Sequence, residues 1–280
     1  MNPADFAPIV EQALREDLRY VGDITSASVV PELATSEANF VTRHAGVIAG
    51  LPVAEYVFAV VDQSVEFISV ASDGQAVETG ETIATVAGLS RSILTAERTA
   101  LNLLGRMSGV ATATARLVAA VAGTGARITD TRKTMPGLRV LDKYAVRSGG
   151  GVNHRLGLYD AVMIKDNHII ATGDVGTAVA AARRAVGPSI SVIVEVESLD
   201  QLEAVLATDA DRVLLDNMDQ KTLRKAVELV AGRMETEASG GVTLDTVRAI
   251  AETGVDFISV GWITHSAPQL DIALDFRYEV

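Results

Sequence analysis

The chain of 280 residues contains no cysteine. Disulfide bonds, thiol nucleophiles and thiolate metal sites are therefore excluded, and the composition fits a cytoplasmic protein. The only histidines, His44, His154, His168 and His265, lack the close spacing of zinc ligands, so we expect no zinc site. No strand is followed by GxGxxG, and no Walker-type GxxxxGK(S/T) sequence is present. Loops for dinucleotides and nucleoside triphosphates are therefore disfavoured.

Basic residues are also scarce, with 24 Lys and Arg against 36 Asp and Glu, a formal net charge of -12. A nucleic-acid-binding surface needs a basic stripe, so we expect no nucleic-acid partner. No apolar run approaches the ~18 residues of a membrane span. The N-terminal sequence MNPADFAPIVEQALRED is acidic and amphipathic, unlike a signal peptide. With 48% hydrophobic residues, the chain can bury a core in one large or two smaller domains.

The first part of the chain contains three regions with different sequence patterns. Residues 5–18 read as a helix, and residues 38–86 hold short β-prone runs punctuated by Gly and Asp around the helical segment LPVAEYVFAVVD. This pattern predicts a small α+β domain with an antiparallel sheet. Residues 90–121 form a long helical region, which we expect Gly105 and Gly109 to divide into two helices.

After Gly125, six apolar strands each precede a helical segment. The rhythm predicts parallel strands with right-handed crossovers, in either a barrel or an open doubly wound sheet. Polar or small residues stand at or just beyond the C-terminal end of each strand: Arg132, Lys165, Glu195, Asp216, Ser239 and Gly261. In a parallel barrel these ends open onto one face, where active sites are built.

Residues 129–169 concentrate the cations of this acidic chain. They are Arg132, Lys133, Arg139, Lys143, Arg147, His154, Arg155 and Lys165. Several stand beside Gly, Pro or Asn, which predicts loops rather than one helix face. Cations gathered on loops of a negatively charged protein indicate a pocket for a ligand with several negative charges.

Glu195 and Asp216 end apolar strands, so each must face the barrel mouth or form a structural ion pair. Paired carboxylates without cysteine suit Mg²⁺, which bridges to substrate phosphates. The Gly-rich turn at 239–241 precedes a helix, and together with Gly261 it indicates a phosphate site. Arg98, next to Glu97, has the spacing of an ordinary exposed charge pair.

Seven segments resemble the quinolinate phosphoribosyltransferase family, in the order that the family has them. They are LTAERTALNLLGRMSGVAT, TDTRKTMPGLRVLDKYAV, GGGVNHRLGLYDAVMIKDNHI, EVE, LLDN, EASGG and VGWITHS. The resemblance implies an N-terminal α+β open-sandwich domain with its connecting helix (1–110) and an incomplete TIM-like α/β barrel of about six parallel βα units (111–265). A C-terminal segment (266–280) would pack back on the N-terminal domain. It also implies a head-to-tail homodimer, with a higher oligomer left open.

The implied reaction transfers phosphoribosyl from phosphoribosyl pyrophosphate to quinolinate with decarboxylation, in the biosynthesis of NAD. The implied catalytic residues are Lys133, Lys165, Glu195 and Asp216. The resemblance also assigns binding roles residue by residue. The quinolinate carboxylates would be surrounded by Arg132, His154, Arg155 and Lys165, and the pyrophosphate would lie near Lys133 and Lys165. Glu195 and Asp216 would bind Mg²⁺ and the ribose, and the 5′-phosphate would be bound by Ser239, Gly240 and Gly261, with His265 close behind. Arg98 would reach the partner's site. Trp262 departs from the family pattern, which expects a smaller side chain there.

Three alternatives stay open at this point. A relative acting on another ring acid, such as nicotinate, would share most of these residues. A Schiff-base aldolase or isomerase barrel would use Lys165 as its nucleophile. A non-catalytic barrel would only sense a phosphorylated metabolite.

Overall fold

The computed structural model describes residues 1–277, which form two compact units. The N-terminal unit comprises Met1–Ala115, Thr134–Gly150 and the chain from Ile263 onward; the barrel unit comprises Arg116–Lys133 and Gly151–Trp262. The predicted barrel range 111–265 therefore differs from the observed units at residues 111–115, 134–150 and 263–265, and the largest of these differences is 134–150. The reason is local bonding: in this segment Tyr144 donates to Asp73 at 2.7 Å, within the N-terminal unit.

The N-terminal unit opens with helix α1 (Pro3–Leu18), which extends the predicted helix by two residues because Asn2 caps it. The Asn2 side chain accepts a hydrogen bond from the Ala4 backbone N–H. Phe6, Val10 and Leu14 recur every four residues and form the buried face of α1. Helix α2 (Ile24–Val29) follows, capped by Asp23.

An antiparallel sheet forms the core of the N-terminal unit. Its order is β12 (Ile272–Phe276), β1 (Thr35–Thr42), β5 (Thr82–Leu89) and β3 (Glu66–Ser69), while β2 (Gly46–Val47) pairs with β4 (Ala76–Val77). Helix α3 (Leu51–Val61) covers it, and Phe40, Phe58 and Phe67 meet with ring centroids 5.6–5.9 Å apart. The predicted α+β fold of this region is confirmed. The last three residues of the predicted C-terminal segment lie outside the described residues.

Helix α4 (Ser90–Ala120) runs unbroken for 31 residues, so the predicted division at Gly105 and Gly109 was wrong. The two glycines serve close packing instead. A Cβ at Gly109 would overlap the Pro268 carbonyl oxygen, and one at Gly105 would lie 3.0 Å from the Leu270 carbonyl oxygen. Glycine therefore lets the chain at 268–270 lie against the helix.

Helix α5 (Arg139–Ser148) carries three of the clustered cations, Arg139, Lys143 and Arg147. It is the helical segment that the sequence predicts after the first barrel strand, over 138–148, and the spacing of four places the three cations along one helix side. Leu141, Ala145 and Lys143 are buried. The two apolar residues supply the packing face of α5.

The barrel unit contains six parallel strands alternating with helices. The strands are β6 (Arg127–Thr129), β7 (Val162–Ile164), β8 (Val192–Val196), β9 (Arg212–Asp216), β10 (Glu235–Ser239) and β11 (Phe257–Ser259). The helices between them are α6 (Asp166–Thr172), α7 (Val175–Val186), α8 (Leu199–Val205), α9 (Gln220–Val230) and α10 (Leu244–Ala251), and α11 (Trp262–His265) follows β11.

The spatial order β6-β11-β10-β9-β8-β7 places the first strand beside the last, as a barrel requires. Over residues 1–277, β6 and β7 are not paired, so the ring is open there. A single parallel bridge between Thr129 and Val152 extends the β6 edge. The incomplete TIM-like barrel is confirmed, and the doubly wound alternative is excluded. No helix within the described part of the chain has the length and apolar character to cross a bilayer.

Candidate active site

A cavity of about 390 Å³ opens at the C-terminal ends of the barrel strands. Thirteen residues of the barrel unit line it: Thr131, Arg132, Lys133, His154, Arg155, Met163, Lys165, Glu195, Leu214, Asp216, Glu237, Ser239 and Ser259. Eight of them were predicted as site residues from the sequence. Of the other four, Gly240 and Gly261 do not line it, and Arg98 and His265 belong to the N-terminal unit.

Strand geometry explains why these side chains converge. Side chains two positions apart share a face, so Leu214 and Asp216 point the same way on β9. In the parallel register Asp216 lies beside Ser239 of β10, and Ser239 beside Ser259 of β11. Likewise Glu195 of β8 lies beside Leu214. The inward positions of four consecutive strands thus form one polar surface.

Lys165 and Glu195 form an ion pair across the cavity, with Nζ and Oε2 2.5 Å apart. Glu195 therefore faces the barrel mouth and also forms an ion pair, so the two alternatives considered for it occur at the same time. The Lys165 side chain is 43% exposed, so its charge also faces solvent in the cavity.

Arg155 lies in a partly buried position near Arg132. Burial, and then the charge of Arg132, lower the pKa of Arg155, while Asp160 and Glu195 act in the opposite direction. An arginine remains charged at any ordinary pH. Two neighbouring guanidinium groups in a shared cavity favour an anionic ligand, because it relieves their repulsion.

The turn after β10 is tight. Gly240 has φ 99° and Gly241 φ 60°, and a Cβ at Gly240 would overlap the Asn217 side chain. Only glycine fits there without strain. The Trp262 indole N–H donates to the Val242 carbonyl oxygen at 3.0 Å. The side chain that departs from the family pattern thus braces this turn from the segment after β11.

Two family models cover most of the chain. The model for the N-terminal domain of quinolinate phosphoribosyl transferase matches residues 23–108, and that for its C-terminal domain matches residues 110–275. The chain belongs to the quinolinate phosphoribosyl transferase family. The resemblance seen in the sequence motifs is confirmed.

Similar members of the quinolinate phosphoribosyl transferase family come from several bacteria. The nicotinate-nucleotide pyrophosphorylase (carboxylating) of Mycobacterium leprae is 48% identical over 273 residues, 95% of each chain. The probable enzyme of that name from Bacillus subtilis is 42% identical over 98% of this chain and 94% of its own. The solved nicotinate-nucleotide pyrophosphorylase of Francisella tularensis is 39% identical, with a TM-score of 0.95 over 99% of this chain and 98% of that one.

The quinolinate phosphoribosyl transferase cavity contains a carboxylate that the sequence analysis missed, Glu237. Its side chain is fully buried on β10 and lies among Arg212, His154 and Ser259. Burial by itself would raise the pKa of Glu237, but the hydrogen-bonding effects of His154 and Ser259 and the charge of Arg212 outweigh it and lower the pKa. The sequence did offer a signal, a charged residue inside a strand two positions before Ser239 and hence on the same face.

Asp130 is a second missed residue, just beyond β6. It is fully buried. Its two oxygens accept from the His154 backbone N–H at 2.8 Å and the Asn153 side-chain amide at 2.7 Å. It therefore anchors the loop that brings His154 to the cavity.

Glu195 and Asp216 are the residues that suit a metal ion. Among residues 1–277, no group of three His, Cys, Asp or Glu side chains is placed to hold one. Mg²⁺ in phosphoryl-binding sites usually takes only one or two carboxylates and completes its shell with phosphates and water. Glu195 and Asp216 would therefore fit an Mg²⁺ ion that binds together with a phosphorylated ligand.

Proposed function

We propose that this chain transfers phosphoribosyl from phosphoribosyl pyrophosphate to quinolinate, releasing pyrophosphate and CO2 and forming nicotinate mononucleotide. The observation that carries the proposal is the cavity itself, in which four cations face two carboxylates at strand ends. Both substrates are polyanions, and the cations would offset their charge in a protein of net charge -12. Family membership and the names of its relatives support the same reaction.

The ring acid would bind to Arg132, Arg155 and Lys165, with His154 beside them. A guanidinium group binds a carboxylate through two parallel hydrogen bonds, which fixes the plane of the ring as well as its position. Such orientation would aim the ring nitrogen at the anomeric carbon of the ribose. Holding two reactants in place in this way can lower a barrier by ~7 kcal/mol.

The pyrophosphate would leave toward Lys133 and Lys165. Lys165 is paired with Glu195, so the pyrophosphate would compete with Glu195 for its ammonium group. Glu195 and Asp216 would hold Mg²⁺ and the ribose hydroxyls. The ion would supply charge neutralisation for the pyrophosphate. The carboxylates would also offset positive charge on the ribose as the bond to pyrophosphate lengthens.

The 5′-phosphate would bind at the turns after β10 and β11, to Ser239, Gly240 and Gly261, with His265 nearby. The close approach that Gly240 permits brings backbone N–H groups within reach of an anion. The predicted phosphate role of these residues stays a proposal.

The bond changes balance without a redox cofactor. The ring nitrogen forms a bond to the anomeric carbon as the carbon–oxygen bond to pyrophosphate breaks. The resulting pyridinium accepts the electron pair released when the adjacent carboxylate leaves as CO2, and that carbon then takes a proton. We expect no covalent enzyme intermediate. A Schiff-base role for Lys165 is disfavoured, because its Nζ is engaged by the Glu195 carboxylate 2.5 Å away and is not free to attack a carbonyl carbon.

We also propose a head-to-tail homodimer in which Arg98 reaches the partner's site, and a cytoplasmic location. The Arg98 side chain is 68% exposed and 4.0 Å from Glu97, so it is accessible for such a role. Sedimentation measurements on the wild type and on Arg98→Ala would test assembly. To test whether Arg98 serves the partner's site, Arg98→Ala would be mixed with a variant that is inactive in the barrel cavity. Activity regained in the mixture would support a site shared between subunits.

The reaction is tested by measuring pyrophosphate and CO2 together, from quinolinate labelled at the 2-carboxyl carbon. We expect equal amounts of both products, dependent on Mg²⁺, and little turnover of nicotinate run alongside. If pyrophosphate is released faster with nicotinate than with quinolinate, nicotinate is favoured as the substrate. No pyrophosphate from either acid would refute the proposed function.

A further inference from the structure

His154 is held at its backbone and at ring Nδ1, and its Nε2 faces a buried carboxylate. Its backbone N–H donates to Asp130 at 2.8 Å, and its ring Nδ1 accepts from the Arg155 backbone N–H at 2.7 Å. Its Nε2 lies 3.4 Å from Glu237 Oε1. The side chain is only 5% exposed although it lines the cavity.

These contacts define where the ring carries its hydrogen. A ring nitrogen that accepts a hydrogen bond has no hydrogen, so Nδ1 is bare and Nε2 carries the N–H. Nε2 lies 3.4 Å from the Glu237 carboxylate, which is beyond ordinary hydrogen-bond length but close enough for the negative charge to act on the ring. Both ring nitrogens therefore face groups of the protein, which leaves His154 unsuited to transfer a proton to or from the substrate.

Glu237 is held equally firmly on its other side. Its Oε2 accepts from Arg212 Nη1 at 3.0 Å, and its Oε1 accepts from the Ser259 hydroxyl. A fully buried carboxylate is tolerated only with such partners, and it is a rigid acceptor once it has them. Glu237 thus offers His154 a fixed negative charge.

Arg155 follows His154 directly, and its backbone N–H is the group that His154 Nδ1 holds. Its guanidinium contacts the Ala161 carbonyl oxygen at 3.4 Å and Met163 Sδ at 3.6 Å. Both groups belong to the segment that leads into β7 and to β7 itself. The backbone at Arg155 sets where this side chain starts, and the His154 ring holds that backbone.

We propose that Glu237 is a positioning residue that acts through His154: it sets the ring tautomer, fixes the backbone at Arg155 and so aims the Arg155 guanidinium at the ring acid, without touching the substrate. This inference rests on the proposed function for the identity of the ring acid. It extends that function by assigning a role to a carboxylate beneath the cavity surface.

Glu237→Gln is the direct test, because it keeps the shape of the side chain and removes its charge. Glu235→Gln is the matched control: it lies on the same strand, contacts the same Arg212 at 2.6 Å, and does not line the cavity. Calorimetric titration gives Kd for quinolinate and for phosphoribosyl pyrophosphate without requiring turnover. We expect Glu237→Gln to raise Kd for quinolinate about tenfold, or ~1.4 kcal/mol, with less than a twofold change for phosphoribosyl pyrophosphate. Glu235→Gln should change neither.

Two results would overturn the proposal. Equal weakening of both ligands would mean general damage to β10, which also carries Ser239. Unchanged affinities for both would mean that Glu237 only stabilises the fold. Should Glu237→Gln fail to fold, His154→Asn and His154→Gln each break one of the two ring contacts, and each should weaken quinolinate selectively.

Nitrogen NMR of protein labelled at its histidines separates this inference from the proposed function. His154, assigned by the signal lost in His154→Gln, should show the hydrogen on Nε2 in the wild type and an altered ring signal in Glu237→Gln. A hydrogen on Nδ1 in the wild type would overturn the positioning role even if quinolinate is turned over. If the wild type shows the expected tautomer but does not turn over quinolinate, the proposed function is refuted instead.

Discussion

The two ends of the barrel strands use the same residue types in opposite ways. At the N-terminal ends, Arg127, Arg212, Glu235 and Phe257 are each the first residue of a strand. Glu235 contacts Arg212 at 2.6 Å and Arg127 at 3.7 Å, and both guanidinium groups stack on the Phe257 ring, 3.7 and 4.1 Å from its centroid. The protein itself supplies partners for these charges.

At the C-terminal ends, Arg132, Lys133, Arg155 and Lys165 surround an open cavity of about 390 Å³. The charges at the two ends differ in their partners because of their position and not because of their residue type. The strand starts meet over an aromatic ring, whereas the strand ends continue into loops that leave room for a ligand. An arginine that is structural at one end of the barrel lines an open cavity at the other. Glu237 connects the two ends, because it bonds Arg212 below and faces His154 above.

The largest effect on activity is expected at the open end, from Lys165→Ala. In the proposed reaction this change removes a charge that stabilises the leaving pyrophosphate, and it should lower kcat by ~10²–10³. Steady-state kinetics measures this, with Lys221→Ala on the exposed start of α9 as control. A fall in kcat shared by the control, or a kcat within tenfold of the wild type, would contradict the assignment.

At the closed end, Arg212→Met should destabilise the fold rather than the site. It leaves Glu237 as a buried carboxylate without its guanidinium partner, a change that costs ~3–5 kcal/mol. Urea denaturation measures the free energy of unfolding. Adding Glu237→Gln should recover part of the loss, and a double variant that is no more stable than Arg212→Met would argue against the coupling.

Arg132→Ala and Arg127→Ala compare the two ends of the strands by their effects on ligand affinity. We expect weaker quinolinate binding by ~1.5–3 kcal/mol, the range for a charged hydrogen bond, with a much smaller effect on phosphoribosyl pyrophosphate. Arg127→Ala, its counterpart at the strand starts, should leave both affinities unchanged. Equal losses for the two ligands in calorimetric titration of Arg132→Ala would refute the assignment.

The smallest effect concerns pH. The pKa of Glu237 is lowered in the folded protein, mainly by His154, Ser259 and Arg212 acting against burial. As pH falls below the ordinary glutamate value of ~4.3, the unfolded chain binds the proton first, so the contribution of Glu237 to stability is lost as pH drops through its folded pKa. The stability of Glu237→Gln should therefore decline less than that of the wild type between pH 5 and 3 (approximate limits). Parallel declines in denaturation curves would contradict the lowered pKa.

Much of the cavity was predictable because strand ends leave a signature in the chain. Lys165, Glu195 and Asp216 each end or directly follow an apolar run, Ser239 ends β10, and a parallel sheet gathers such strand ends by its geometry. Glu237 escaped notice because it lies inside its strand, where a charge reads as a break in the pattern. Its partner Arg212 lies 25 positions away on the next strand, so only the register reveals the pair.

The sequence by itself determined the alternation of strands and helices, the strand ends that carry the chemistry, and the family. These follow from periodicity and local motifs, which the chain carries within short windows. Only the tertiary structure decided that Gly105 and Gly109 pack a helix closely instead of breaking it, and that His154 faces Glu237. Such outcomes depend on contacts between residues distant in the chain, whose partners no local pattern specifies.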